Sequence, residues 1–253
     1  MARNPRKKSV NGIYHIIIRG INRQIIFEDN VDKIQYLKTL KKYKGICKFK
    51  LYGYSLMDNH IHLLCKETDE SISEIVKRIS SSYVHWYNAK YDRSGHLFEG
   101  RFKSETVEDV RYFLTVLRYI HQNPLKAGVS KNVLNCKWTS ISEYMDKPNL
   151  VDTELALQLF SSDEKKALEL FKAYSFELNE ENCLDSNNAV KVADEEVLKI
   201  MRSLEIPNNA TLQKLNKKER DKLLKKLKCI EGVTIRQIAR ITGISKSVVQ
   251  RAK

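Results

Sequence analysis

The sequence predicts an α+β fold: a ferredoxin-like antiparallel sheet with helices on one face, followed by a helical connector and a small all-α unit. Three observations lead there. Up to Met145, stretches of period two alternate with stretches of period 3.6 in the order strand, helix, two strands, helix, strand, helix. The charge then changes sign twice along the chain. The last segment, Ile235 to Arg251, has the spacing of two short helices joined by a glycine turn.

Ile13 to Arg19 is rich in β-branched residues and reads as a first strand. Val31 to Lys44 has helical spacing, with Ile34, Leu37, Leu40 and Tyr43 on adjoining positions. Phe49 to Leu56 and Ile61 to Cys65 give two more strands, and Ser71 to Lys90 a second helix with Ile72, Ile75, Val76 and Ile79 on one side. Leu97 to Val107 reads as extended structure entering a third helix, which Glu108 and Asp109 open and Pro124 ends. On that helix Phe113, Leu117 and Ile120 form the apolar stripe. Tyr119 lies on the opposite side, with Tyr112 and Asn123 within roughly 40° of it.

Side chains alternate faces along a strand, so His60 and His62 point one way while Ile61 and Leu63 point into a core. Two imidazoles side by side are half of a metal site, or equally two partly solvated surface histidines. Tyr119, not needed for its helix's apolar stripe, is either an exposed nucleophile or an aromatic covering the core edge.

Of the 253 residues, positions 1–146 carry 25 Lys+Arg against 15 Asp+Glu, 147–198 carry 5 against 12, and 199–253 carry 15 against 4. Two basic units therefore flank an acidic connector, within a formal net charge of +14. Paired basic units point to a polyanion, most simply nucleic acid. Five scattered cysteines without C-x-x-C spacing read as reduced structural thiols of a cytoplasmic protein. No apolar run is long enough to span a membrane, no signal region follows the basic start, and no phosphate-cradling P-loop is present.

Four segments, Arg19 to Phe27, Gly53 to Leu64, Ser94 to Ser104 and Arg118 to Val129, resemble in order and spacing the single-tyrosine HUH transposases, and among them the bacterial REP-associated tyrosine transposases. The resemblance runs from about Gly12 to Met145. It implies the ferredoxin-like fold with the paired histidines on a central strand, Tyr119 as nucleophile, and a divalent cation, Mg²⁺ or Mn²⁺, on His60 and His62. Asn123 stands where relatives place a polar third ligand. It further implies nicking and joining of single-stranded or hairpin DNA through a 5′-phosphotyrosine, in a nucleoid-associated protein. Arg19, Arg23, Arg101 and Lys103 lie in or beside the motifs and are expected to contact phosphates. A homodimer stays open, since some members of the wider family share active sites across a dimer and REP-associated ones need not.

Tyr83, Trp86, Tyr87 and Tyr91 could stack unpaired bases or pack a core. His96 reads as a DNA-facing or structural residue; His15, His85 and His121 read as structural. Outside the matched segment, Ile235 to Arg251 resembles a helix-turn-helix: Ala239 where helices cross, Gly243 at the turn, Ser245 as a cap, and Ile244 and Val249 returning to the core. Lys246, Ser247, Gln250 and Arg251 would then face duplex DNA. The expected organisation is 1–146 catalytic, 147–198 acidic helical connector and 199–253 basic helix-turn-helix. Competing readings are a host-retained hairpin-processing relative, a non-catalytic DNA-binding regulator, and a zinc hydrolase, the last lacking a third His or carboxylate.

Overall fold

The computed structural model describes residues 6–21, 24–177, 183–184, 192, 194–204, 215–230 and 232–252. The chain divides into two compact units at Asp185/Ser186. The first contains β1 (Ile13–Arg19), α1 (Asn30–Cys47), β2 (Lys50–Met57), β3 (His60–Lys66), α2 (Ile72–Lys90), β4 (Lys103–Thr106), α3 (Val110–Lys126), α4 (Ile141–Met145), α5 (Glu154–Gln158) and α6 (Glu164–Phe176). The sheet order is β2-β3-β1-β4 with every neighbouring pair antiparallel. This is the interleaved order of two split βαβ units, as expected for a ferredoxin-like arrangement.

Local chemistry sets the helix starts. Asp29 and Asp32 form a reciprocal capping box at α1, and the side chains of Ser71 and Asp109 accept from Glu74 N and Tyr112 N to cap α2 and α3. Asp32 is itself fully buried, bound by Lys90 Nζ at 2.7 Å and the Tyr91 hydroxyl at 2.9 Å, which ties α1 to the end of α2. Within α1 the buried residues include Tyr36 and Leu40, whereas Ile34 is exposed.

Register assigns the two sheet faces. His15, Ile17 and Arg19 of β1 lie opposite Leu64, His62 and His60 of β3, which in turn lie opposite Gly53, Ser55 and Met57 of β2. Directly paired residues share a face, so these nine form one surface. The other surface carries Ile16, Ile18, Ile61, Leu63 and Cys65, and receives α1 and α2, with Tyr36 beside Cys65.

The expectation of helices on one face needs correction: α3 covers the histidine-bearing face. Its seat is Gly53, where an added Cβ would lie 2.8 Å from Leu117 Cδ1 and 3.9 Å from Ile120 Cγ2. A side chain here would press on the Leu117 Cδ1 methyl, so glycine gives the helix its closest seat. Pro124 does not end α3, which continues to Lys126 with one backbone donor fewer.

The acidic connector is not a separate element either. Leu150, Val151, Ala156 and Phe171 belong to the core of the first unit, whereas Val197 belongs to that of the second. The acidic residues ride on elements whose apolar sides dock, so burial rather than charge decides which unit they join.

The second unit holds α7 (Asp194–Ser203), α8 (Lys217–Lys228), α9 (Ile235–Thr242) and α10 (Lys246–Arg251). Met201, Leu224, Leu227, Ile238, Ile244 and Val249 are in its core. Gly243, at φ 68°, ends α9 in the left-handed region. Ser245 stands at the N-cap of α10 but makes no capping bond; its hydroxyl meets that of Ser247 at 3.2 Å. No helix among the described residues is long and apolar enough to cross a membrane.

The seat of α3 is testable. Gly53→Val should destabilise the first unit by about 1–3 kcal/mol in chemical denaturation, because the branched side chain overpacks the contact with Leu117. A variant as stable as wild type would show that α3 does not depend on this close approach.

Candidate active site

Three elements converge on the covered sheet face. Strand β3 brings His60 and His62, β1 brings His15 and Arg19, and α3 brings Tyr119 with Asn123 one turn later. His62 is fully buried, and its ring lies 4.9 Å from that of His60 and 5.3 Å from that of His15, centroid to centroid. The Tyr119 ring meets His62 edge-on at 5.5 Å and His15 at 5.9 Å. Thus the tyrosine that periodicity placed away from the apolar stripe is only 2% exposed. The reason is that α3 is buried nearly all round: Leu117 and Ile120 seat on Gly53, while Gln122 donates to the carbonyls of Ser175 and Glu177.

Hydrogen bonds fix how the imidazoles are protonated. Asn123 Nδ2 donates to His62 Nε2 at 3.2 Å, so Nε2 carries a lone pair and the ring hydrogen sits on Nδ1. From there it is donated to His15 Nε2, 3.1 Å away. His60 follows the same rule, its Nδ1–H donating to Asn59 Oδ1 at 2.6 Å and leaving Nε2 as an acceptor. Burial first, then the repulsion a charged His62 would meet from His60, His15 and Arg19, holds His62 well below the usual histidine range. The ring is therefore neutral, with an unprotonated Nε2.

This donor set fits a divalent cation. His60 and His62 each carry a lone pair on Nε2, and that of His62 accepts from the Asn123 amide nitrogen, so the amide would turn to offer its oxygen if a cation were held there. Among the described residues, no group of three or more His, Cys, Asp or Glu side chains is arranged to hold a metal.

The other sequence-predicted residues divide. Arg19 lies opposite His60, and Lys103 of β4 lies opposite Ile17 on the same face. Arg101 is exposed beside a groove next to this face. Arg23 lies outside the described residues. Lys246, Ser247, Gln250 and Arg251 are all exposed on α10 of the second unit. The Tyr83, Tyr87 and Tyr91 hydroxyls bind Ile26 O, Glu28 and Asp32, so these rings join α2 to α1 and its approach. His121 is buried, with Nε2 at 2.8 Å from Ser140 Oγ and its pKa lowered by burial to about 3, which agrees with a structural role.

Sequence reasoning missed two residues. His15 read as structural, yet it shares strand parity with Arg19, a signal that becomes specific only once β1 is paired with β3. Lys126, two turns past Tyr119, places its ammonium 4.9 Å from that ring's centroid, and burial lowers its pKa.

The bond to His15 makes a spectroscopic prediction. In wild type, nitrogen NMR should show His62 protonated on Nδ1. His15→Phe keeps a ring in the stack and leaves the Asn123 donor in place, so His62 should stay protonated on Nδ1 while that proton loses the downfield shift of its bond to His15. A wild-type His62 protonated on Nε2 would reverse the assignment.

Comparison with known proteins then places the chain. The sequence pattern described as "Transposase IS200 like" matches residues 8–123. A solved structure described as a REP-associated tyrosine transposase bound to a REP hairpin is similar, with a TM-score of 0.51 at 17% identity, covering 60% of this chain and 94% of that one. A candidate transposase from Deinococcus radiodurans R1 matches with a TM-score of 0.34 at 18% identity, covering 43% of this chain and 88% of that one. A comparison with curated proteins finds no match. Residues 8–123, which contain β1 to β4, the paired histidines, Tyr119 and Asn123, are thus similar to the IS200-like transposases over just under half of the chain.

Proposed function

We propose that the first unit cleaves and rejoins single-stranded DNA through a covalent 5′-phosphotyrosine at Tyr119. The observation that carries this reading is the contact of the Tyr119 ring with His62, whose Nε2 is held by Asn123 from the same helix. The hairpin bound to the structurally similar transposase supports a hairpin substrate.

Tyr119 Oη attacks the phosphorus, its proton passes to solvent, the P–O3′ bond breaks, and the 3′-oxygen leaves and takes up a proton. The ester retains the energy of the broken bond, so a 3′-hydroxyl attacking in reverse rejoins a strand without ATP. A free phenol, with a pKa near 10, needs assistance at neutral pH. A divalent cation, Mg²⁺ or Mn²⁺, when bound would offset charge on the scissile phosphate. His60 and His62 would hold it through Nε2, and Asn123 would be the third donor. Arg19 and Lys103 are placed on the same face to take flanking phosphates. Because Tyr119 is 2% exposed, a phosphate reaches it only when the groups over the ring part.

In this reading the second unit binds duplex DNA. Lys246, Ser247, Gln250 and Arg251 fall on one exposed side of α10, and the glycine turn before it supports a helix-turn-helix.

The test uses the chain with a single-stranded hairpin oligonucleotide and Mn²⁺. Wild type should give a covalent adduct on a denaturing gel, and Tyr119→Phe none. His60→Ala with His62→Ala should lose both the adduct and calorimetric Mn²⁺ binding while hairpin affinity changes little, since phosphate contacts supply most of it. An undiminished adduct in Tyr119→Phe would overturn the assignment. For the second unit, Lys246→Glu with Arg251→Glu should weaken duplex binding and lower its salt slope by roughly 0.9 per lost contact. Unchanged duplex affinity and slope would remove DNA binding from α10.

A further inference from the structure

His15 stands between the candidate metal ligand and the candidate nucleophile. Its ring is stacked on that of His62, with centroids 5.3 Å apart and planes inclined by 25°, and it meets the Tyr119 ring edge-on at 5.9 Å. The side chain is fully buried. Strand register puts it within reach. Ile17 lies directly opposite His62, so His15 meets His62 from the diagonal position, two residues back along β1. From the far side of β3, Ser55 lies directly opposite His62, yet its buried hydroxyl makes no hydrogen bond.

Two hydrogen bonds act on opposite ends of the His62 ring. Asn123 Nδ2 donates to Nε2, and Nδ1–H donates to His15 Nε2 at 3.1 Å. Only the second can persist when His62 serves as a ligand. Holding a cation uses the Nε2 lone pair and displaces the donor from Asn123, whereas the bond to His15 uses the other nitrogen. That bond also strengthens on loading, because a ring that gives electron density at Nε2 carries a more positive hydrogen on Nδ1. An acceptor at this point therefore favours the loaded site over the empty one. His15 Nε2 is not itself a ligand in this arrangement, since its lone pair is committed to His62.

We propose that His15 is the positioning residue of the cation site: by accepting the Nδ1 hydrogen of His62 it fixes that ring's rotation, strengthens Nε2 as a donor, and so sets how tightly the site holds a divalent cation. The proposal rests on the reading in which His60, His62 and Asn123 take Mg²⁺ or Mn²⁺. The competing role for a buried ring is packing, and the two roles rank substitutions in opposite orders. Phenylalanine keeps the ring and accepts no hydrogen bond. Glutamine loses the ring, but its side-chain oxygen reaches about as far as Nε2 and accepts. Packing favours the first and positioning the second.

The experiment measures Mn²⁺ binding to the full chain by calorimetry, without DNA, while chemical denaturation of the metal-free protein shows that each variant folds. His15→Phe should weaken Mn²⁺ binding by roughly 10–100-fold, and His15→Gln should recover most of that affinity. His15→Met, as long and as flexible as glutamine but without a strong acceptor, should behave as His15→Phe does, and it stands in for that variant if the aromatic one does not fold. Wild-type Mn²⁺ affinity in folded His15→Phe or His15→Met overturns the proposal. So does a folded His15→Gln that binds no better than His15→Met. Those two results leave the cation site standing and remove His15 from it. A wild type that takes up no Mn²⁺ sinks the cation reading, and the role of His15 with it.

Discussion

The packing of α3 against Gly53 positions everything else at the candidate site. Leu117 and Ile120 reach the sheet there because β2 presents no side chain, and the helix comes down close over the histidine-bearing strand. Burying each of these two side chains stabilises by about 1.5–3 kcal/mol. Asn123 then falls within hydrogen-bond reach of His62, and Tyr119 falls edge-on to two imidazoles. From the other side, Arg118 pairs with Glu177 at 2.6 Å and Gln122 donates to the carbonyls of Ser175 and Glu177, so α3 is held on both flanks.

That enclosure governs the electrostatics. A histidine at the end of a solvated strand would titrate near neutrality, whereas His62 is shielded from water and surrounded by groups of positive or potentially positive charge. Protonation would leave a buried cation beside Asn123 Nδ2, which is a donor and cannot accept the extra hydrogen. The chain from Asn123 through His62 to His15 is consistent only with a neutral ring, and it also orients that ring. The same burial that keeps His62 neutral also covers the Tyr119 phenol.

α2 is legible from its periodicity because one side, with Ile72, Ile75, Val76 and Ile79, is buried. β1, β2 and β3 are buried on both faces and are legible instead as short apolar runs. α3 defeats that reasoning: with residues 115–124 all buried, an apolar stripe marks only the sheet contact, and the side opposite it is not solvent. The histidine pair and Tyr119 are legible as residues, yet their meeting is not, because it depends on a strand register and on the close approach at Gly53. His15 shows the limit most plainly. Its parity is visible locally, but its partner lies 47 positions away across the β1–β3 ladder.

Charge blocks in the sequence likewise do not map onto units in space. The acidic stretch reads as a spacer between two basic bodies, but its carboxylates pair with cations within each unit. Asp152 binds Lys44 at 2.8 Å, and Glu177 meets the largely buried Arg118 in the first unit. In the second, Asp194 binds Arg240 at 2.7 Å and also accepts from Gln237. An exposed pair of this kind contributes little, about 0–1 kcal/mol. Arg118 is different, because a guanidinium taken out of water without a counter-ion is costly. Glu177 therefore matters less as part of an acidic run than as the group that lets an arginine sit on the buried flank of α3. Through that helix, it supports the position of Tyr119.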